Sequence, residues 1–153
     1  MVTKTILKGT YCLLINLEND SKIRVGKLGE LDFKKGGYVY VGSALNSLEG
    51  RIKRHLSHDK KLHWHVDYLL THKDTKIMDV IYTVNDSKIE CEVAQIIAEM
   101  GVGVDNFGCS DCKCSSHLFY FEKLDDLEKY CLESYEKLGL SPEKYLEKKQ
   151  TKT

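Results

Sequence analysis

The chain has 153 residues, of which 42% are hydrophobic and 30% charged, and this suits one globular domain with a hydrophobic core. Its single proline excludes a Pro-rich linker protein, and no apolar run approaches the roughly 20 residues that span a bilayer. The formal net charge is zero, but residues 1–65 carry 12 Lys and Arg against 6 Asp and Glu, and residues 66–153 carry 11 against 17. The N-terminal part therefore has a positive field that can attract phosphate groups.

Three stretches near the N-terminus have the composition of β-strands. Residues 9–18, GTYCLLINLE, are followed by a turn at residues 19–21. Residues 22–36, KIRVGKLGELDFKKG, alternate imperfectly and predict a second strand that is bent or broken at its glycines. Residues 37–43, GYVYVGS, predict a third strand. Because the turns between them are short, the three strands are expected to form an antiparallel meander.

A helix is predicted to follow the third strand. Residues 46–49, NSLE, have the spacing of a capping box, which marks a helix start. Apolar residues then recur at every fourth position from Leu48 and form one stripe. Arg51 and His55 lie four positions apart on a neighbouring stripe, so their side chains are expected to project together.

The later elements follow from hydrophobic periodicity. Residues 62–70, LHWHVDYLL, fit either a strand or a short helix, and the helix is favoured. Residues 76–84, KIMDVIYTV, predict a strand, and residues 87–90, SKIE, form a second capping box that opens another helix. A last strand is predicted at residues 115–123, and a last helix at residues 124–140.

The order of these elements predicts an α+β domain, in which a small, mostly antiparallel β-sheet is flanked by α-helices. We expect this domain to occupy residues 1–140. Residues 141–153 are rich in Lys and Glu and are expected to form a polar C-terminal tail.

Two short signatures suggest a family. Residues 9–11, GTY, lie on the first predicted strand, and residues 40–42, YVG, end the third. This arrangement resembles the GIY-YIG nuclease superfamily, whose following helix carries an arginine and whose later helix carries a metal-binding glutamate. Arg51 matches the arginine, with His55 one turn further on, and Glu90 matches the glutamate best.

The resemblance is closer to one prokaryotic and archaeal branch of that superfamily, a group long labelled as a domain of unknown function. It extends from Gly9 to Phe121. The similar segments are YVYVGSA, RIKRHL, HWHVDYLL, IECEVA and FGCSDCKCSSHLFYF. In this order and at these spacings, the segments together are specific, although each is weak alone.

The resemblance implies a metal-dependent nuclease that hydrolyses phosphodiester bonds. A divalent Mg²⁺ or Mn²⁺ held by Glu90 would neutralise charge on the phosphate, since hard cations prefer oxygen ligands. Arg51 would clamp the phosphate oxygens. One of Tyr11 and Tyr40 would activate or become the attacking group while the other positions it, and His55 is a candidate proton carrier.

Each of these residues also has a simpler structural explanation. The two tyrosines suit β-strands, and an arginine is common on a helix surface. Glu90 stands at the third helical position of the predicted capping box, and Glu92 is an alternative carboxylate for the metal. A non-catalytic nucleic-acid or protein binding domain, which zinc could stabilise, is therefore the alternative function.

The most basic part of the chain follows Arg51. Residues 51–65 read RIKRHLSHDKKLHWH, and their cations are candidates for contacts with nucleic-acid phosphates, DNA in preference to RNA. The alternative is an ordinary solvated helix face. The candidate binding residues are Lys53, Arg54, Lys60 and Lys61.

Three of the six cysteines lie in one short segment. Cys109, Cys112 and Cys114, together with His117, offer three thiols and one imidazole, which can hold a tetrahedral Zn²⁺. The alternative is that these thiols are reduced and structural. An imidazole from elsewhere in the chain could complete a zinc site: His63 or His65.

The remaining cysteines, Cys12, Cys91 and Cys131, stand singly among apolar neighbours. Such cysteines are usually reduced residues of the core. Together with the lack of a recognisable signal sequence, this predicts a reducing, cytoplasmic setting and no membrane partner.

Overall fold

The structure of the chain is a computed structural model that describes residues 8–44, 47–57, 59–85, 89–108 and 116–146. These residues form eight β-strands, four α-helices and two short 3-10 turns. The strands are β1 (Gly9–Leu17), β2 (Ser21–Arg24), β3 (Glu30–Phe33), β4 (Gly36–Ala44), β5 (Thr75–Val84), β6 (Val102–Gly103), β7 (Leu118–Phe121) and β8 (Glu143–Lys144). The helices are α1 (Leu48–Leu56), α2 (His65–Leu70), α3 (Glu90–Ala98) and α4 (Leu127–Lys137), and the 3-10 turns are Gly26–Leu28 and Leu124–Asp126. None of the helices in these ranges is long and apolar enough to cross a membrane.

Six strands form one sheet in the order β6-β7-β4-β1-β5-β8, and each neighbouring pair runs antiparallel. The central pair is β1 and β4, in whose register Tyr11 lies opposite Gly42. Strands β2 and β3 form a separate hairpin. The predicted α+β class, with a mostly antiparallel sheet flanked by helices, is confirmed.

The predicted three-stranded meander is wrong in its middle strand. Residues 22–36 break into β2 and β3, and β4 pairs directly with β1. The break lies at a turn in which Gly26 and Gly29 have positive φ angles of 48° and 82°, a conformation that favours glycine. The amide of Val25 donates to the carbonyl of Gly29 at 2.9 Å and closes this turn. The hairpin thereby leaves the central sheet and packs over one face of it.

Helix α1 begins one residue later than the capping box predicts. Its N-cap is Ser47, whose hydroxyl accepts a hydrogen bond from the amide of Gly50 at 3.0 Å. Glu49 instead forms an exposed ion pair with Lys53, one turn further along the helix. The choice of a helix for residues 62–70 is confirmed by α2, and the predicted strand at residues 76–84 is confirmed by β5.

Both faces of the central sheet are covered, so nearly every residue of β1 is buried. Helices α1 and α2 and the β2–β3 hairpin pack on the face that carries Tyr11, Leu13 and Ile15. Helices α3 and α4 pack on the opposite face, which carries Cys12 and Leu14. Side chains of the central strands can therefore meet an external molecule only where the strands end.

The segment predicted as a polar tail continues the sheet. In β8, Lys144 pairs with Ile81 of β5, and the amide of Leu146 donates to the Asp79 carboxylate at 3.1 Å. Residues 147–153 lie outside the described residues. The part of the segment up to residue 146 is thus anchored to the sheet by backbone hydrogen bonds.

Candidate functional site

The glycines of both signatures allow backbones and side chains to approach closely. A Cβ atom at Gly42 would lie 2.5 Å from the hydroxyl oxygen of Tyr11, because the two residues face each other across β1 and β4. A Cβ atom at Gly9 would overlap the carbonyl oxygen of Thr83 on β5. Glycine at these positions leaves room for the Tyr11 ring and for the neighbouring strand.

The Tyr11 hydroxyl lies 2.8 Å from Nε2 of His55, which α1 places over the end of β1. Both side chains are buried, at 1% and 2% exposure. Burial raises the pKa of Tyr11, and the nearby Arg51 guanidinium partly opposes this rise through its charge and a hydrogen bond. Burial, assisted by the positive charge of Lys60, lowers the pKa of His55 to about 3. At neutral pH the pair is therefore a phenol beside an uncharged imidazole.

Tyr40 lies beside this pair but plays a different part in it. Its ring meets the His55 ring edge-on at 6.2 Å and the Phe107 ring at 6.3 Å. Burial raises its pKa well above the usual value. The hydrogen bond of Tyr11 to an imidazole makes Tyr11 the better placed of the two tyrosines for proton transfer.

Ser43, at the end of β4, contacts the predicted arginine and the predicted carboxylate. Its carbonyl oxygen accepts a hydrogen bond from Nη1 of Arg51 at 3.0 Å. Its hydroxyl donates to Oε1 of Glu90 at 2.9 Å. Since Arg51 also acts on the Tyr11 hydroxyl, the structure brings Tyr11, Arg51 and Glu90 together around the end of this strand.

Glu90 does not occupy the third helical position that the second capping box predicts. It is the first residue of α3, whose N-cap is Ile89, while Ser87 lies outside the described residues. The Glu90 side chain is 18% exposed and turns toward Ser43. Glu92, the alternative carboxylate, is exposed. Within the described ranges, Glu90 shares a contact residue with Arg51 and Glu92 does not.

The His117 imidazole bridges β4 and α3. Its Nδ1 lies 3.2 Å from the carbonyl oxygen of Val41 and 3.6 Å from Oε2 of Glu90. Its Nε2 lies 4.0 Å from Sγ of Cys91. The expectation that Cys91 is a core cysteine is wrong, because its half-buried thiol faces this imidazole. The other two lone cysteines are fully buried, as expected: Cys12 and Cys131.

The predicted zinc ligands Cys109, Cys112 and Cys114 lie outside the described residues, so zinc binding stays a prediction. The amide of Gly108 donates to Nδ1 of His65 at 2.9 Å, and His63 is exposed. Within the described ranges, no group of three or more His, Cys, Asp and Glu side chains could hold a metal ion.

The predicted phosphate-binding cations have different surroundings. Arg54 forms a bidentate ion pair with the fully buried carboxylate of Asp67, at 2.9 and 3.0 Å. Lys60 is half-buried, and its ammonium donates to the carbonyl of His55 at 2.7 Å. The exposed members of the set are Lys53 and Lys61. The ion pair with Asp67 already accounts for Arg54 structurally, whereas the exposed lysines are accessible to phosphate.

Trp64, which none of the sequence motifs marks as a site residue, contacts two arginines of α1. The Cζ atoms of Arg51 and Arg54 lie 4.5 and 4.4 Å from its ring centroid. It is the only tryptophan of the chain. That fact and its place in the most basic segment are the signals in the sequence that could have identified it.

The family model described as "Domain of unknown function DUF123" matches residues 10–140 of the chain. The chain belongs to this family. The matched range includes Tyr11, Arg51, Glu90 and His117, so the whole candidate site lies within the DUF123 domain. No curated protein and no solved structure matches the chain.

Proposed function

We propose that this protein is a nuclease of the GIY-YIG superfamily, which hydrolyses phosphodiester bonds of nucleic acid, DNA in preference to RNA, with Mg²⁺ or Mn²⁺. The observation that carries the proposal is that Arg51 and Glu90 both contact Ser43, while Arg51 also acts on the Tyr11 hydroxyl. These residues come from three separate elements, β1, α1 and α3. Each residue alone has a simple structural explanation, but a shared catalytic role explains why all three lie near the same strand end.

The Tyr11–His55 pair supplies the proton acceptor of the proposed reaction. A buried phenol with a raised pKa is a poor base by itself. Because His55 is uncharged at neutral pH, its Nε2 can accept the phenolic proton while the Tyr11 oxygen takes a proton from the attacking water. The low pKa of His55 means that the imidazole holds this proton only transiently. The water oxygen then bonds to phosphorus and the bond to the leaving oxygen breaks. The leaving oxygen takes up a proton from solvent while His55 releases its proton to solvent, which restores the pair.

Arg51 provides the positive charge for the phosphate in this proposal. Its Nη1 is fixed by the Ser43 carbonyl, and a guanidinium retains further donors for phosphate oxygens. As the water attacks, negative charge accumulates on those oxygens, so Arg51 stabilises the transition state more than the ground state. Arg51 should therefore affect kcat more than substrate binding.

Glu90 is the residue that would hold the divalent ion. A single carboxylate fits Mg²⁺, which is commonly bound by one or two carboxylates, several waters and substrate phosphates. The Oε1 atom accepts from Ser43, and carboxylate oxygens retain further lone pairs for a cation. When bound, the ion would neutralise charge on the scissile phosphate and on the leaving oxygen.

The proposed function is tested by incubating the purified chain with branched, single-stranded and duplex DNA and RNA. Reactions contain Mg²⁺, Mn²⁺ or a chelator, and Arg51→Ala and Tyr11→Phe are compared with the wild type. Lys129→Ala is the matched control, because Lys129 is an exposed cation of α4, which packs on the opposite face of the sheet from Arg51. Cleavage that requires the metal, and whose rate falls steeply but measurably in the two site variants and not in the control, supports the nuclease. Absence of cleavage of every substrate by the wild type would exclude it.

Burial of both tyrosines favours a second candidate function. Tyr11 is 1% and Tyr40 is 9% exposed, so neither hydroxyl is openly presented to solvent. A non-catalytic nucleic-acid binding domain would keep these side chains as core residues and use only the exposed cations. Salt-sensitive binding of DNA without cleavage would identify this function.

A further inference from the structure

The buried carboxylate of Asp67 organises the chain just before α2. Its Oδ2 accepts hydrogen bonds from the backbone amides of His63 and Trp64, both at 2.8 Å, in addition to the ion pair with Arg54. Although burial opposes it, these hydrogen bonds hold the pKa of Asp67 below its usual value. The backbone of Trp64 and the guanidinium of Arg54 are thus fixed by the same carboxylate.

The indole of Trp64 extends this fixed unit to Arg51. The Arg51 guanidinium lies over the indole, and one of its nitrogens is bound to the Ser43 carbonyl, so it is restrained at two points. A cation over an indole face is attracted by the quadrupole of the ring. Arg54 contacts the same indole while it is bound to Asp67, so a second guanidinium restrains the ring.

We propose that Trp64 is a positioning residue, which holds the Arg51 guanidinium in the orientation that receives a phosphate. An arginine side chain has considerable rotamer freedom, and a displacement of about 1 Å at a catalytic group can lower a rate by about 100-fold. Trp64 acts through Arg51 and does not contact the reacting atoms. This inference rests on the proposed function, because Arg51 is the phosphate-binding cation of the nuclease.

The test is a double-mutant cycle in Mg²⁺ on a labelled branched DNA. It compares Trp64→Leu, Trp64→Phe, Arg51→Ala and the double variant Trp64→Leu with Arg51→Ala. Tyr68→Leu is the matched control, because Tyr68 is a partly buried aromatic residue of α2 in the same core cluster. Folding of each variant is checked by circular dichroism, since Trp64→Leu removes the only indole fluorophore.

Trp64→Leu is expected to lower kcat about tenfold with little change in KM, and Trp64→Phe is expected to recover part of this loss, because it keeps a smaller aromatic face. In the Arg51→Ala background, Trp64→Leu should change the rate less than about twofold. Tyr68→Leu should lower stability but leave kcat near that of the wild type. An equal loss in both backgrounds would overturn the proposal, as would a rise in KM at unchanged kcat.

A second readout does not depend on catalysis. The same cycle is measured by urea unfolding, where the contact between Arg51 and Trp64 should appear as a coupling of about fivefold in the unfolding equilibrium constant. A coupling close to onefold means that the indole does not hold Arg51, and it overturns the proposal. If the protein cleaves no substrate but the coupling is clear, Trp64 still holds Arg51, and the proposed nuclease function is excluded.

Discussion

Gly42→Ala is expected to disrupt the candidate site from inside the sheet. The new Cβ would lie 2.5 Å from both Cζ and the hydroxyl oxygen of Tyr11, whereas ordinary contacts of a Cβ atom begin at 3.4 Å. The Tyr11 ring must therefore move by about 1 Å, although β1 is held between β4 and β5. Such a shift breaks the 2.8 Å contact between the Tyr11 hydroxyl and His55.

The magnitude follows from the two parts of this change. Overpacking a well-filled core costs about 1–3 kcal/mol. Loss of a hydrogen bond between two buried groups adds about 1–3 kcal/mol. Because partial relaxation of the ring reduces both terms, we expect Gly42→Ala to lower the free energy of unfolding by about 3 kcal/mol.

Urea unfolding at neutral pH measures this loss, and the variant Tyr11→Leu supplies the control. A leucine at position 11 lacks the ring atoms that the new methyl would meet. The cost of Gly42→Ala should then fall by more than half in the Tyr11→Leu background. A cost below about 0.5 kcal/mol in the wild-type background, or an equal cost in both backgrounds, would refute the steric argument.

Three further predictions address charge and metal. The pKa of His55 falls from 6.5 to about 3 on folding, so between these pH values the unfolded state binds more protons than the folded state. The free energy of unfolding therefore decreases as the pH falls from 6.5 toward 3. Between pH 7 and 4.5 this His55 contribution amounts to about 2–3 kcal/mol, and His55→Gln should remove it in urea unfolding at the two pH values. Lys61→Ala should reduce the slope of log affinity for DNA against log salt concentration by about one in a fluorescence titration. Arg54→Ala should instead mainly destabilise the fold, by about 3 kcal/mol in urea unfolding, because it leaves Asp67 as a buried charge without its cationic partner. If the cysteine segment holds zinc, elemental analysis of reduced protein should find about one zinc per chain, and Cys112→Ser should remove it. Protein that contains no zinc and whose melting temperature is unchanged by a strong chelator would exclude the site.

The fold could be predicted from the sequence where the signal is local. A short run rich in apolar and β-branched residues identifies β5, which is covered on both faces, and a fourfold apolar spacing identifies α1, which buries one face. The pairing of β1 with β4 could not be predicted in the same way, because it depends on where the β2–β3 hairpin packs. That placement is decided by tertiary contacts of Ile23, Val25 and Phe33 with the core, not by their neighbours in the sequence.

The site residues that belong to a sequence motif could be predicted. The residues that connect them through hydrogen bonds and ion pairs could not. The two short signatures, and the family resemblance that they suggested, identified Tyr11, Arg51 and Glu90 as candidates. Ser43 gave no signal of its own, because its role depends on α1 and α3 reaching the same strand end from opposite faces. The ion pair of Arg54 with Asp67 was missed for a related reason. An arginine in a basic run looks like a phosphate ligand until its buried partner is known.

Strand alternation explains why the candidate site lies at the end of β4. Successive side chains of a strand point to opposite faces, so Gly42 faces the α1 layer and Ser43 faces the α3 layer. The Ser43 hydroxyl therefore reaches Glu90 on one side, while its carbonyl, at the strand end, is open to Arg51 from the other. One residue thus links the two helical layers. A backbone carbonyl cannot be removed by substitution, so replacement of the Ser43 side chain acts directly on the Glu90 contact and leaves the Arg51 acceptor in place.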